Sequence, residues 1–228
     1  MPAATTEPGL PARQTILIVD DHPLLRRGVA ALIRTEPDLD VCGEAATSAA
    51  ALEAIREHPP DLVLVDLMLE GPDGLSLIKE MKARHPKIPA LVLSMYDEAV
   101  YAERALRAGA RGYVSKLQLD DTLLAAIRRV LNGETYLSEK ARARFAEKFL
   151  GGATLEKDSP LAKLTDHELE VFRLIGTGQS TREIAQHLHL SVKTIESYRE
   201  HIKQKLTLGS GAELVRRATL WVETGRTS

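Results

Sequence analysis

ILIVDDHP, residues 16–23, runs four branched or long apolar side chains straight into two adjacent carboxylates and an imidazole. An unbroken apolar run is the mark of a parallel strand covered on both faces. In an open parallel sheet, ligands gather just beyond the carboxyl ends of the strands. Two readings follow: a buried strand whose exit is incidentally acidic, or one wall of a site for a hard cation or a phosphoryl group. Partners delivered to the same sheet edge by other strands decide between them.

Working outward, strand-like runs recur as DVCGEA (40–45), DLVLVD (61–66), PALVLS (89–94) and GYVS (112–115), separated by stretches of helical period such as Leu24, Leu25, Val29, Leu32 and Ile33. Five strands alternating with helices predict parallel βαβ units in a doubly wound α/β sheet. A last helix is expected from the Asp120–Asp121 cap to about Leu131, stopped by Asn132–Gly133. Residues 1–13 read as a disordered leader, 14–134 as the α/β domain, and 135–160 as a linker that carries a short helix over SEKARARFAEKFL (138–150) and the small, polar stretch GGATLEKDSP (151–160).

From 161 to 228 only helical signals remain. Thr165–Glu168, Ser180–Glu183 and Ser210–Glu213 each match a Ser/Thr-x-x-Glu capping box, and Ser191 caps a further stretch, giving an all-α domain of four helices. Composition is that of a soluble globular protein, 44% apolar and 27% charged over 228 residues. No apolar run reaches the roughly 18–20 residues of a membrane span, so a cytoplasmic location is expected, without a membrane partner. The single cysteine, Cys42, excludes an intrachain disulfide and a cysteine metal centre. Lys+Arg number 15 against 19 Asp+Glu in 13–134, and 10 against 8 in 161–228. The second balance is too weakly basic to argue for DNA by itself.

In the flavodoxin-like order 2-1-3-4-5, strands one and three are neighbours, so Asp20, Asp21 and Asp66 meet at the switch point. Three carboxylates without a counter-charge must take up protons or bind a cation, and an all-oxygen set suits Mg²⁺. Strand four adds the Ser94 hydroxyl, and Lys116 follows strand five. Carboxylates holding Mg²⁺ beside a hydroxyl and a lysine form a phosphoryl-transfer site with Asp66 as nucleophile.

Asp20–Asp21, Asp66, Ser94, Tyr113 and Lys116, each at its own strand end, resemble the receiver domain of a bacterial two-component response regulator. DDHPLLRRGVAALI and ALRAGARGYVSK are similar to the NarL/FixJ subfamily in particular. The resemblance implies phosphorylation of Asp66 by a sensor histidine kinase, with Mg²⁺ bound by Asp21, Asp66 and the Met68 backbone carbonyl, and by Asp20 mainly through water. It makes Ser94 and Lys116 the grip on the phosphoryl group and Tyr113 the aromatic whose inward rotation reports it. Two positions depart from the pattern: Glu70 and Leu117 stand where the family often has proline. Leu117 puts the pose of Lys116 in question, and Pro72 is a candidate to shape the first loop instead. Met68 and Tyr96 offer no carboxylate or amide to orient an attacking water, so slow self-dephosphorylation is expected.

LTDHELEVFRLIGTGQSTREIAQHLHLSVKTIESYREHIKQKL (164–206) reads as a helix-turn-helix unit. Ile195, Ile202 and Leu206 share one face of its last helix and leave the other for a major groove. The segment resembles the LuxR-type DNA-binding domain. That likeness assigns Lys193, Thr194, Arg199 and Lys203 mostly to phosphates, Tyr198 to the backbone through its hydroxyl, and Glu196, Ser197 and Glu200 to base edges of a double-stranded operator. On GAELVRRATLWVET (211–224), Leu214, Ala218, Trp221 and Val222 form a stripe that packs on its own domain or, as often in this family, pairs two domains in a homodimer on DNA. RNA polymerase is a further contact for such a regulator. GTGQST (176–181) lacks the Gly-Lys-Ser/Thr ending of a phosphate loop, and His187 and His189 fall at a turn without nearby metal ligands.

The reading is thus a phosphorylation-switched transcription regulator, not an enzyme beyond its own phosphoryl transfer and dephosphorylation. An aspartyl-phosphate phosphatase needs a second acid that Leu67–Met68 does not supply. A DNA-binding protein whose receiver is a phosphorylation-independent dimerisation module is the alternative.

Overall fold

The computed structural model describes residues 13–69, 73–96, 98–117, 121–150 and 160–224. Almost all of the predicted leader, Glu70, Pro72, Asp120 and the GGATLEKDS stretch lie outside the described residues. The chain divides into two compact units, 1–143 and 144–228.

In the first unit, strands β1 (Gln14–Val19), β2 (Leu39–Ala45), β3 (Leu62–Val65), β4 (Ala90–Ser94) and β5 (Gly112–Ser115) alternate with helices α1 (Pro23–Arg34), α2 (Ser48–Glu57), α3 (Gly74–Arg84), α4 (Glu98–Ala108) and α5 (Asp121–Leu131). All strands pair in parallel, as the alternation of periods predicts, and they lie in the flavodoxin-like order β2-β1-β3-β4-β5. Side chains alternate across a strand. Ile16 and Ile18 therefore join Val29 and Ile33 of α1 and Leu123 and Ile127 of α5 in one core layer, while α2, α3 and α4 cover the other face. Each fully buried Ile or Leu in these layers contributes roughly 1.5–3 kcal/mol. Asn132–Gly133 stops α5 as predicted, with Gly133 at φ 83°.

After α5 the chain returns to the sheet. Tyr136 bridges to Gly112, and the Ser138 main-chain N–H donates to the Glu98 carboxylate at 2.9 Å. Helix α6 (Glu139–Leu150) follows where the amphipathic stretch places it.

The second unit is helical. A 3₁₀ turn (Pro160–Lys163) precedes α7 (Asp166–Gly176), α8 (Thr181–His187), α9 (Val192–Leu206) and α10 (Gly211–Thr224). Reciprocal capping boxes form at Thr165 and Ser180, and the Ser191 hydroxyl accepts from the Thr194 N–H at 3.0 Å. The third box forms only by half. Ser210 Oγ accepts from the Glu213 N–H at 3.1 Å, but the Glu213 carboxylate reaches one residue further back, to the Gly209 N–H at 2.9 Å.

Helices α7 and α10 pack on each other through Gly176. A Cβ there would lie 2.4 Å from the Ala218 carbonyl oxygen and 2.6 Å from a Val222 methyl, so backbone approaches backbone where only hydrogen fits. Gly176→Val is expected to destabilise this unit by about 3 kcal/mol through overpacking. Thermal unfolding followed by the fluorescence of Trp221, the one tryptophan of the chain, checks this. Gly211→Ala, with open space around its Cβ position, is the control expected to leave the midpoint unchanged.

Candidate phosphoryl-acceptor site and nucleic-acid interface

The carboxyl ends of β1 and β3 are held side by side by the sheet ladder itself: Asp20 donates its N–H to Ala45 (3.0 Å) and Asp66 its N–H to Val19 (2.8 Å). Both aspartates are about 3% exposed. Lys116, at the end of β5, places Nζ 2.5 Å from Asp66 Oδ2 and 2.7 Å from Asp20 Oδ2. The Lys116–Leu117 peptide bond is trans, and the lysine reaches both carboxylates with leucine after it. The remaining Asp66 oxygen accepts from the Met68 N–H at 3.2 Å.

One ammonium among three carboxylates leaves the cluster electron-rich. Burial pushes the Asp66 carboxyl up to about 6; Lys116 pulls it down, and Asp20 adds to the rise. Ligand atoms of Asp20, Asp21, His22 and Asp66 lie within 4.8 Å of one another. Asp21 Oδ1 is buried without a hydrogen bond. His22 Nδ1 stands 2.7 Å from that oxygen without the alignment of a hydrogen bond. A buried carboxylate oxygen left open beside two fixed carboxylates is what a hard, oxygen-seeking cation fits.

Ser94 is buried, and its Oγ accepts from the Tyr96 N–H at 3.3 Å. Tyr113 is buried too, its hydroxyl donating to the Tyr96 carbonyl at 3.0 Å. The Tyr96 ring stacks on Tyr101 with centroids 4.9 Å apart, and Met68 is half-buried. Gly74 supports the site and was not legible as a site residue. A Cβ on it would fall 2.0 Å from the Asp66 carbonyl oxygen, so the start of α3 lies against the Asp66 backbone, with the Gly74 N–H donating to Leu67 at 2.9 Å.

In the helical unit, Ile195, Ile202 and Leu206 are buried and turn the other face of α9 outward. Lys193, Glu196, Ser197 and Glu200 are exposed, while Thr194, Tyr198, Arg199 and Lys203 are partly buried. Three of these are engaged locally: Thr194 with Ser191 through their hydroxyls (2.8 Å), Ser197 with the Lys193 carbonyl (3.1 Å) and Lys203 with Glu200 (2.7 Å). Tyr198 is half-buried, stacked on His167 at 5.7 Å, and burial raises its phenol pKa. It ties α9 to α7.

Residues 16–128 match the response regulator receiver domain family, and 162–218 match the bacterial regulatory proteins of the luxR family. The oxygen regulatory protein NreC of Staphylococcus carnosus is 36% identical over 204 residues, 88% of this chain and 94% of NreC. The chain is a two-component response regulator of the NarL/FixJ type. Among solved structures, RcsB from Salmonella enterica serovar Typhimurium bound to promoter rprA with the phosphomimetic BeF₃⁻ is 27% identical (TM-score 0.55, 90% of this chain and 98% of that one). RcsB seen as two dimers on two parallel DNAs is 26% identical (TM-score 0.56, 90% and 97%).

The regulator therefore carries a receiver and a LuxR-type DNA-binding domain and acts in transcription. Among its described residues no helix is long and apolar enough to cross a membrane. Helix α9 of the response regulator is held by a residue read from sequence only as a cap. Glu168, buried, accepts from the Thr165 N–H (2.8 Å) and also pairs with Lys205 of α9 at 2.6 Å. A capping glutamate is ordinarily solvated; its burial gives the second role away.

The α10 stripe divides. Leu214 and Ala218 are fully buried, Ala218 in the crossing with α7, and Trp221 leans on Phe172 at 5.8 Å. Of the two roles expected for the stripe, Leu214 and Ala218 take the packing one, since their area is buried inside their own domain. Val222, 40% exposed, and Val215, 41% exposed, lie seven residues apart at the margin of this packing, with one Val222 methyl against Gly176.

Proposed function

We propose that Asp66 accepts a phosphoryl group from the histidine of a sensor kinase and that this phosphorylation switches dimerisation and operator binding. The observation that carries it is the bridging Lys116: one buried ammonium spans Asp66 and Asp20, and the open Asp21 oxygen stands in the same cluster. Ionised Asp66 attacks phosphorus, the histidine nitrogen leaves with its electron pair, and an acyl phosphate results. Lys116 and the Ser94 hydroxyl would take the phosphoryl oxygens that arrive. Asp21, Asp66 and the Met68 carbonyl would hold Mg²⁺, with Asp20 acting mainly through water. When bound, the cation offsets charge on the transferring group.

On the output side, Lys193, Thr194, Arg199 and Lys203 serve the phosphate backbone, with Tyr198 beside them, and Glu196, Ser197 and Glu200 read base edges. The dimer contact is assigned to the exposed parts of Val215 and Val222, with Trp221 at its margin. The receiver spans 14–134 and the DNA-binding domain 161–228, joined by 135–160. A regulator of this kind works in the cytoplasm, with RNA polymerase as its further partner.

Intact mass and light scattering after incubation with acetyl phosphate, with Mg²⁺ or with EDTA, test this. One phosphoryl group per chain in Mg²⁺ only, together with a doubled molar mass and tighter DNA binding, is the expected result. A dimer that binds DNA equally well with no adduct would establish the receiver as a phosphorylation-independent dimerisation module.

A further inference from the structure

Arg26 lies on α1, one turn beyond the acidic pair, and its side chain folds back toward the sheet. Nη1 donates to the Asp20 main-chain carbonyl at 2.5 Å, and Nε donates to Glu44 Oε2 on β2 at 3.1 Å. The Arg26 side chain is 17% exposed. With it, each polar group of Asp20 has a partner: the N–H bonds the Ala45 carbonyl, Oδ1 accepts from the His22 N–H at 2.7 Å, Oδ2 meets Lys116 and the carbonyl meets Arg26. The next residue, Asp21, has the open buried oxygen. The chain is thus pinned at one residue, while the next keeps a buried carboxylate oxygen that accepts no hydrogen bond and has only the His22 imidazole beside it, at 2.7 Å.

We propose that Arg26 is a positioning residue of the acidic site, clamping the Asp20 carbonyl to Glu44 and thereby fixing the turn from which Asp21 presents its carboxylate to a divalent cation. This rests on the cation reading of the site given above. Charge-assisted bonds from a planar fork hold two acceptors at a set angle, which the single ammonium of a lysine does not reproduce. Partners that orient metal ligands without touching the metal typically alter affinity 10–100-fold when lost.

The sign of the effect separates positioning from charge. Deleting a cation beside a carboxylate cluster would, by Coulomb's law alone, tighten binding of a divalent cation; loss of positioning loosens it. The experiment is calorimetric titration of the full chain with MgCl₂, for the native protein, Arg26→Ala, Arg26→Lys and Glu44→Gln, with a thermal unfolding curve of each in EDTA. Expected is a Kd raised about 10-fold or more in Arg26→Ala, with smaller rises in Arg26→Lys and Glu44→Gln. The acetyl-phosphate reaction of Arg26→Ala should need more Mg²⁺ for half-saturation while keeping its plateau rate. A folded Arg26→Ala that binds Mg²⁺ as tightly as the native chain, or more tightly, overturns the proposal. If Arg26→Ala does not fold, native affinity in both Arg26→Lys and Glu44→Gln overturns it equally. Absence of Mg²⁺ binding by the native chain itself would instead sink the cation reading of the site, and the proposal with it.

Discussion

Asp66→Asn is expected to take up no phosphoryl group from acetyl phosphate and, without Mg²⁺ at pH 8, to be more stable than the native chain. The first effect follows from the loss of the nucleophile. The second follows from linkage. The folded-state pKa of Asp66 is raised from 3.8 to about 6 by burial, against Lys116. The folded protein therefore binds a proton that the unfolded chain has already released, and stability is lost as pH rises from about 4 through about 6. Above that window the ionised carboxylate carries a penalty on the order of 2–3 kcal/mol.

Asparagine removes the charge and keeps the shape, and Lys116 retains Asp20 as its partner at 2.7 Å. The expected gain is on the order of 1–3 kcal/mol at pH 8, shrinking to near zero at pH 4, where native Asp66 is itself protonated. Urea unfolding of both proteins at pH 4 and pH 8 in EDTA measures it. An Asp66→Asn chain less stable than the native one at pH 8 would mean that the Lys116 pair outweighs desolvation, contrary to the balance assigned here. A receiver that gives up stability for an ionised, buried carboxylate is the usual trade at a site built for chemistry.

The triple substitution Lys193→Ala, Arg199→Ala, Lys203→Ala should weaken operator binding by about 100-fold near physiological salt. The slope of log affinity against log salt should become shallower by roughly 0.9 for each phosphate contact removed. Lys203 is held by Glu200 at 2.7 Å, so part of its charge is already neutralised and its share is the smallest of the three. Glu196→Lys should behave differently: it alters which sequences are selected, because a residue nearest the base edges discriminates rather than anchors. Fluorescence anisotropy against the selected operator and a scrambled duplex, over a range of salt, distinguishes the two classes. An unchanged slope in the triple variant would move the phosphate contacts off this face of α9.

Much of the molecule was legible in the chain because its signals are local and periodic. Apolar runs ending in Asp20, Asp66 and Ser94 announced strands, and the Ser/Thr-x-x-Glu boxes announced where α7 and α8 begin. The face of α9 turned outward was set by Ile195, Ile202 and Leu206, whose spacing needs no tertiary information.

What the sequence by itself determined is therefore the two kinds of domain, the parallel alternation of strands and helices and the polar residues at the strand ends. Periodicity and strand ends are fixed by the backbone geometry of each element. What only the tertiary structure decided depends on contacts between residues far apart in the chain. Glu168 is a cap and also the anchor of Lys205; Gly74 and Gly176 are glycines because another backbone passes where a Cβ would sit. Leu214 and Ala218, on the same helical stripe as Val222, face inward because α7 covers them. The charged reach of Arg26 to both Asp20 and Glu44 is likewise invisible to any window along the chain, since a long side chain finds its partners only once the sheet has brought them within a few ångströms.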